Sequence, residues 1–157
     1  MSLSKPEPVA DSMLKAGDRL RWASLVLAAV GAADSLYLTW VKLANTQAFC
    51  SGVGDCEAVN TSIYSEIRGV PVAILGLAAY AAIALVLALE GRLRLAADYG
   101  PLAVFGLALT GTLYSAYLTY VEFFVIHAIC PYCVVSALVI TSLLILAIVR
   151  LARGPAE

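Results

Sequence analysis

Four long apolar runs, separated by shorter polar stretches, dominate the pattern of hydrophobic and polar positions along the chain. Each run is long enough to cross the roughly 30 Å hydrocarbon core of a bilayer as a helix that rises about 1.5 Å per residue. Because a backbone in lipid must satisfy its own hydrogen bonds, each run predicts a helix. The predicted transmembrane helices cover about residues 20–44, 70–89, 99–126 and 131–151.

This pattern predicts an all-α integral membrane protein whose four-transmembrane-helix bundle occupies residues 19–153. The polar residues 1–18 are predicted to form a flexible tail before the bundle. The loop between the first two runs, residues 45–69, carries two of the four cysteines.

The composition agrees with a membrane location and excludes several classes of function. The chain of 157 residues is 62% hydrophobic and 13% charged, whereas a soluble domain is about 45–50% apolar. A net charge of −1 provides no basic surface for nucleic acid. The single histidine and the few acidic residues suit neither a conventional hydrolase nor a metal centre, and we expect no metal site.

The distribution of lysine and arginine predicts the orientation of the bundle. Four spans place both termini on one side of the membrane, and most basic residues lie on that side: Lys5, Lys15, Arg19, Arg21, Arg92, Arg94, Arg150 and Arg153. The other side holds only Lys42 and Arg68. The positive-inside rule therefore predicts cytoplasmic termini in a plasma (inner) membrane, with the cysteines facing the periplasm or exterior.

A Cys-Pro-Tyr-Cys tetrapeptide opens the fourth apolar run. Pro131 suits the first position of a helix, which makes Cys130 the N-cap and Cys133 the third helical residue. At this spacing the two sulfurs can bond, and the helix N-terminus favours thiolate over thiol. The motif favours a redox-active pair, with a static disulfide as the alternative. A zinc site shared with the other two cysteines is a third possibility, but their spacing suits zinc poorly.

The second pair, Cys50 and Cys56, lies in the loop 45–69 with Gly52 and Gly54 between them. Glycine permits unusual backbone angles, so the segment can move. A shuttle that exchanges electrons between a partner and Cys130 is one interpretation. A disulfide that only closes the loop is the other.

A relay through two cysteine pairs needs a final electron acceptor, and a quinone dissolved in lipid takes the two electrons and two protons that one dithiol releases. Asp34, a carboxylate inside the first run, is a candidate for the quinone pocket. It could instead be protonated or bonded to a neighbouring helix. Glu122 and His127 precede Cys130 by one or two turns, and His127 is either a proton carrier or a residue of the membrane interface.

Taken together, these residues resemble the vitamin K epoxide reductase family. The resemblance covers the chain from the first helix to the fourth. It rests on the loop pair followed by Ser62, on Gly69-Val70-Pro71 with Gly76 and Tyr80, and on the block from Tyr117-Leu118-Thr119 to Cys130-Pro131-Tyr132-Cys133. The position of the C-x-x-C motif at the fourth helix, rather than in the first outer loop, resembles this family and not the other bacterial family of disulfide-forming quinone reductases.

The resemblance implies a four-helix bundle around a quinone of the ubiquinone, menaquinone or vitamin K type. It implies that Cys130 and Cys133 form the active-site pair, with Cys133 nearest the quinone, and that Cys50 and Cys56 are the shuttle. It further implies that Ser62 belongs to the loop that caps the pocket. Many bacterial members carry a fused thioredoxin-like domain, and this chain is expected to use a separate thioredoxin-like protein on the outer face.

The leading hypothesis is a membrane thiol–disulfide oxidoreductase that passes electrons from that partner to a quinone and supports disulfide bond formation. A second hypothesis is reduction of vitamin K epoxide or quinone as the physiological substrate. A third, from a different class, is a structural four-helix membrane protein with two static disulfides.

Overall fold

The computed structural model describes residues 8–50 and 54–153. Helices make up nearly all of this part of the chain. In chain order the elements are α1 (Pro8–Leu43), α2 (Cys56–Asn60), a 3₁₀ turn (Ile63–Ser65), strands β1 (Glu66–Ile67) and β2 (Val70–Pro71), α3 (Val72–Glu90), α4 (Arg94–Val121), a π-helical turn (Glu122–Ile126) and α5 (Pro131–Ala152).

Four of these helices are long and apolar enough to cross a membrane: Gly17–Leu43, Val72–Glu90, Arg94–Ile126 and Pro131–Ala152. Their outward faces carry large exposed apolar side chains, including Leu36, Leu85, Leu113 and Leu138. Such faces suit contact with lipid rather than water. The predicted all-α, four-helix membrane fold is therefore confirmed.

Two helix starts differ from the sequence-based expectation. Helix α1 begins at Pro8, within the range 1–18 that was expected to be a flexible tail, and residues 1–7 of that range lie outside the described residues. Proline is well suited to the first helical position, and the alanines, leucine and lysine that follow are good helix formers. Helix α4 begins at Arg94, earlier than the expected 99, and contains Pro101.

The helices pack in the cyclic order α1, α3, α4, α5, so that α1 lies diagonally across from α4. Small residues allow the closest approaches. The Tyr80 ring lies directly against Gly31, and Ile140 packs over Gly111, where a Cβ atom would collide with it. The core between the helices consists of Ala28, Tyr80, Ile83, Leu87, Val104, Ala108, Val139, Ile140, Leu143 and Ala147.

The end of the bundle opposite the cysteines is fastened by charged side chains. Arg150 on α5 forms a buried ion pair with Glu90 at the end of α3. Arg21 on α1 donates from Nε to the Leu87 carbonyl oxygen over 2.8 Å. These contacts tie three helices together at one end, and the loops that connect the helices at the other end form the candidate site.

Candidate functional site

The C-x-x-C motif adopts the local geometry that its sequence predicts. Cys130 is the N-cap of α5 with extended backbone (φ −99°, ψ 113°), and Pro131 is the first helical residue. Cys130 is 2% exposed and Cys133 is half-buried, and both are free thiols. A hydrogen bond from the Cys133 thiol lowers the pKa of the Cys130 thiol below its ordinary value. Cys130 is therefore the more readily ionised sulfur, as expected of the residue that exchanges with another disulfide.

The other two cysteines are joined by a disulfide. Cys50 and Cys56 have their Cα atoms 6.3 Å apart, and Cys56 is buried as the first residue of α2. Asp55 caps that helix, since its Oδ1 accepts a hydrogen bond from the Ala58 N–H at 3.0 Å. The short helix fixes the Cys56 side of the loop.

The loop packs directly against the chain that leads into Cys130. The Asp55 N–H donates to the Ile129 carbonyl oxygen at 3.1 Å. The preceding residue, Gly54, has φ +80°, and a Cβ atom there would collide with the same carbonyl oxygen. Only glycine combines this backbone angle with this approach. The contact brings the loop disulfide beside the active-site pair, as a relay requires.

A pair of tyrosines holds the Cys50 side of the loop. The Phe49 N–H donates to the Tyr37 hydroxyl oxygen at 3.1 Å, and the Tyr132 hydroxyl donates to the Phe49 carbonyl oxygen at 2.9 Å. The two tyrosine rings lie 5.0 Å apart. The role of these hydroxyl groups is not evident from the sequence, in which the only signal is that Tyr132 lies inside the C-x-x-C motif.

A cavity of about 440 Å³ opens next to the active-site thiols. All four long helices and the segment between Cys56 and α3 contribute to its wall, which is mostly apolar. Its polar lining includes Asp34, Ser62, Tyr80 and Ser136, and both Cys130 and Cys133 reach it. Of the seven site residues that the sequence proposed, four line this cavity together: Asp34, Ser62, Cys130 and Cys133.

Two of the hydroxyl groups in the cavity wall donate to backbone carbonyl oxygens. The Ser62 hydroxyl donates to the Val59 carbonyl oxygen at 2.7 Å. The Tyr80 hydroxyl donates to the Ser136 carbonyl oxygen at 2.9 Å and lies 3.0 Å from the Ser136 hydroxyl. In contrast, Oδ2 of Asp34 is buried and has no hydrogen-bond partner among the described residues. Oδ2 of Asp34 is therefore free to meet a ligand.

His127 and the loop disulfide do not line this cavity. His127 is exposed, has a left-handed backbone (φ 56°), and its Nδ1 lies 3.3 Å from the Val125 carbonyl oxygen. The residue ends the π-helical turn, a position that the sequence did not reveal. This placement favours the interfacial interpretation of His127 over a role in a pocket.

Lys42 secures the cap over the cavity, a role that sequence analysis missed. Its Nζ donates to the Asn60 carbonyl oxygen at 2.6 Å and to the Ser65 hydroxyl at 3.1 Å, and pairs with the Glu66 carboxylate at 3.1 Å. These partners flank Ser62 on both sides. A single lysine at the end of α1 thereby holds the segment that covers the pocket.

The cavity suits a quinone. An apolar wall accommodates the ring and its hydrophobic tail. Oδ2 of Asp34 is buried and unpaired among the described residues; the carboxyl group donates to a ring carbonyl oxygen when it is protonated and accepts from a ring hydroxyl when it is ionised. Cys133 reaches the same space, so a ring held there would lie next to a thiol.

Four apolar spans, two cysteine pairs at one end and an adjoining apolar cavity define a class, that of the membrane thiol oxidoreductases. Within that class the chain belongs to the vitamin K epoxide reductase family, whose model matches residues 22–148. The match extends into all four long helices and includes all four cysteines, and it confirms the resemblance noted in the sequence.

A curated relative with a longer chain was also found. The chain is 33% identical over 121 residues to the Arabidopsis thaliana protein named Thiol-disulfide oxidoreductase LTO1. The matched part covers 73% of this chain and 32% of that protein, so this chain spans about a third of the length of its relative.

Proposed function

We propose that this protein is a quinone-linked thiol–disulfide oxidoreductase that supports disulfide bond formation. Electrons enter from a separate thioredoxin-like protein at the Cys50–Cys56 disulfide, pass to Cys130 and Cys133, and leave to a quinone. The observation that carries the proposal is the contact between the loop and the active-site pair, because Asp55 bonds the residue just before Cys130.

Three exchanges make up the reaction. A partner dithiol attacks the Cys50–Cys56 disulfide, so that the partner leaves oxidised and the loop is left with two thiols. A loop thiolate then attacks a Cys130–Cys133 disulfide, which re-forms the loop disulfide and leaves two active-site thiols. The described structure has this second arrangement, with the loop pair bonded and the active-site pair reduced.

Oxidation of the active-site dithiol completes the cycle. The quinone, as oxidising substrate, accepts the two electrons and two protons that the dithiol gives up. Cys133, half-buried and facing the cavity, is the thiol next to that substrate, while Asp34 and Ser62 are the residues that bind it. The low pKa of the Cys130 thiol suits its exchange with the loop.

The comparisons support a redox role of this kind. The relative from Arabidopsis thaliana is named a thiol-disulfide oxidoreductase, and the family to which this chain belongs is named for a reductase. We further propose that the cysteine end faces the periplasm or exterior of the plasma (inner) membrane and that both termini are cytoplasmic. The excess of lysine and arginine at the opposite end supports this orientation.

The test is quinone reduction by the purified protein with a reduced dithiol donor, followed by ultraviolet absorbance. Cys133→Ala is expected to abolish quinone reduction, because the thiol beside the cavity is lost, while the donor still reduces the loop disulfide. Thr141→Ala is the matched control, since Thr141 lies on an exposed part of the same helix. Wild-type turnover in Cys133→Ala would refute the assignment.

The same assay separates the alternatives. If the wild-type protein reduces no quinone but forms quinone from an added vitamin K epoxide, the epoxide is the substrate. If neither substrate reacts and the cysteines stay oxidised under mild reductant, the protein is a scaffold with static disulfides.

A further inference from the structure

Glu122 is a buried carboxyl group for which the relay described above has no use. It directly follows α4, is 3% exposed, and begins the π-helical turn that leads toward the C-x-x-C motif. A carboxyl group at this depth in an apolar bundle is costly unless a specific partner or a function accounts for it.

Its side chain contacts the active-site pair. One carboxyl oxygen, Oε2, accepts a hydrogen bond from the Cys130 N–H at 3.2 Å. The Cys133 thiol lies within hydrogen-bonding reach of the same carboxyl group. Glu122 also reaches the cavity that both cysteines line. The carboxyl group therefore lies at the reacting pair.

Oxidation of the active-site thiols to a disulfide requires a group that accepts protons. Formation of the Cys130–Cys133 disulfide releases a proton from each thiol, and Cys130 is buried while Cys133 is half-buried. His127 is exposed and does not line the cavity, and Asp34 belongs to a different helix, α1. Among the described acidic residues, Glu122 is the one in contact with both cysteines.

We propose that the Glu122 carboxylate is the base that takes the Cys133 proton when the active-site disulfide forms. The S–H bond of Cys133 breaks as the O–H bond on Glu122 forms, the Cys130 thiol gives its own proton to the reduced product or to water, and the two sulfurs bond to each other. The electron pair given up in this step goes to the quinone, the oxidising substrate of the proposed function, on which the inference rests. Glu122 then loses its proton to the reduced product or to water.

A purely structural role is the competing explanation, because Glu122 also acts as the acceptor for the N-cap residue of α5. Substitution of Glu122 by glutamine distinguishes the role as a base from the structural role. Glu122→Gln keeps a side-chain oxygen for the Cys130 N–H but cannot take a proton as a carboxylate does. Glu122→Asp keeps the carboxylate on a shorter stem. The matched control is Asp98→Asn, which removes an exposed carboxylate near the other end of the same membrane span.

The experiment has two readouts on each reduced protein. The first is single-turnover quinone reduction. The second uses dipyridyl disulfide, a small neutral reagent that first forms a mixed disulfide with Cys130 and releases one coloured thione. Cys133 then closes the disulfide and releases a second thione, a step that needs no quinone. General bases contribute about 10²–10⁴-fold to a rate, so we expect Glu122→Gln to slow the closing phase and quinone reduction at least about tenfold.

Glu122→Asp should recover part of the lost rate, and Asp98→Asn should match the wild type. Thermal unfolding and an intact Cys50–Cys56 disulfide verify the fold of each variant. Wild-type rates in Glu122→Gln would overturn the proposal, and so would equal slowing in the Gln and Asp variants, which would assign Glu122 to packing. If the wild-type protein reduces no quinone yet Glu122→Gln slows disulfide closure, the quinone assignment fails while the role of Glu122 stands.

Discussion

Two glycines with nearly the same backbone angle provide an internal control for loop docking. Gly54 has φ +80° and faces the Ile129 carbonyl oxygen, whereas Gly69 has φ +81° and open space around its Cα hydrogens. Alanine at either position incurs the same left-handed strain, about 1–2 kcal/mol. Only Gly54→Ala also places a methyl group against the segment that leads into Cys130.

The structure sets the size of the additional effect. The methyl group displaces the loop and breaks the hydrogen bond from Asp55 to Ile129, which is worth about 1 kcal/mol. Overpacking adds about 1–3 kcal/mol. The sum, about 2–4 kcal/mol, lowers the ratio of docked to undocked loop by about thirty- to a thousand-fold. We therefore expect Gly54→Ala to transfer electrons from donor to quinone at least about tenfold more slowly than Gly69→Ala.

The assay measures the complete electron transfer from donor to quinone and, separately, its first and last steps. Reduction of the loop disulfide by the donor, and quinone reduction by protein whose active-site pair is already reduced, should remain near the Gly69→Ala rates in both variants. Only the transfer between the two pairs should fail in Gly54→Ala. Equal coupled turnover in the two variants would show that docking through Gly54 is not needed for the relay.

Three further outcomes follow from individual contacts. Tyr132→Phe removes one exposed hydrogen bond to the Phe49 carbonyl, worth about 0.5 kcal/mol, so hydrogen exchange of the Phe49 amide should accelerate about twofold. An unchanged exchange rate would show that the Tyr132 hydroxyl does not hold the loop. Because the Cys133 thiol lowers the Cys130 pKa, Cys130 should become reactive thiolate at a lower pH than an ordinary thiol, and Cys133→Ala should move the iodoacetamide pH curve upward rather than leave it in place. Glu90→Gln breaks the buried ion pair with its arginine partner and should lower the free energy of unfolding by about 3–5 kcal/mol, and a loss below about 1 kcal/mol would contradict that pairing.

The bundle and the active-site helix could be predicted because their signals are local in sequence. Long apolar runs require helices in lipid, and Pro131 requires a helix start, which fixes Cys130 and Cys133 on one face. The family resemblance, confirmed over residues 22–148, has the same origin in short motifs.

The docking contacts could not be predicted because they join distant parts of the chain. The Tyr132 hydroxyl meets the Phe49 carbonyl across 83 positions, and nothing in the local pattern pairs them. The left-handed backbone at His127, a candidate that does not line the cavity, was likewise not evident from the sequence. The sequence placed Glu122 among the polar candidates one or two turns before Cys130, but its contact with Cys130 depends on the π-helical turn and the fold that returns it there.

The central claim is that the two cysteine pairs exchange directly, and disulfide trapping tests it most directly. In Cys50→Ala/Cys133→Ala and in Cys56→Ala/Cys133→Ala, one loop thiol and the Cys130 thiol remain. Mild oxidation followed by peptide mass spectrometry should find Cys130 linked to the remaining loop cysteine within the same chain in at least one of the two variants. Recovery of Cys130 as a free thiol in both variants, with the bundle intact, would contradict the relay.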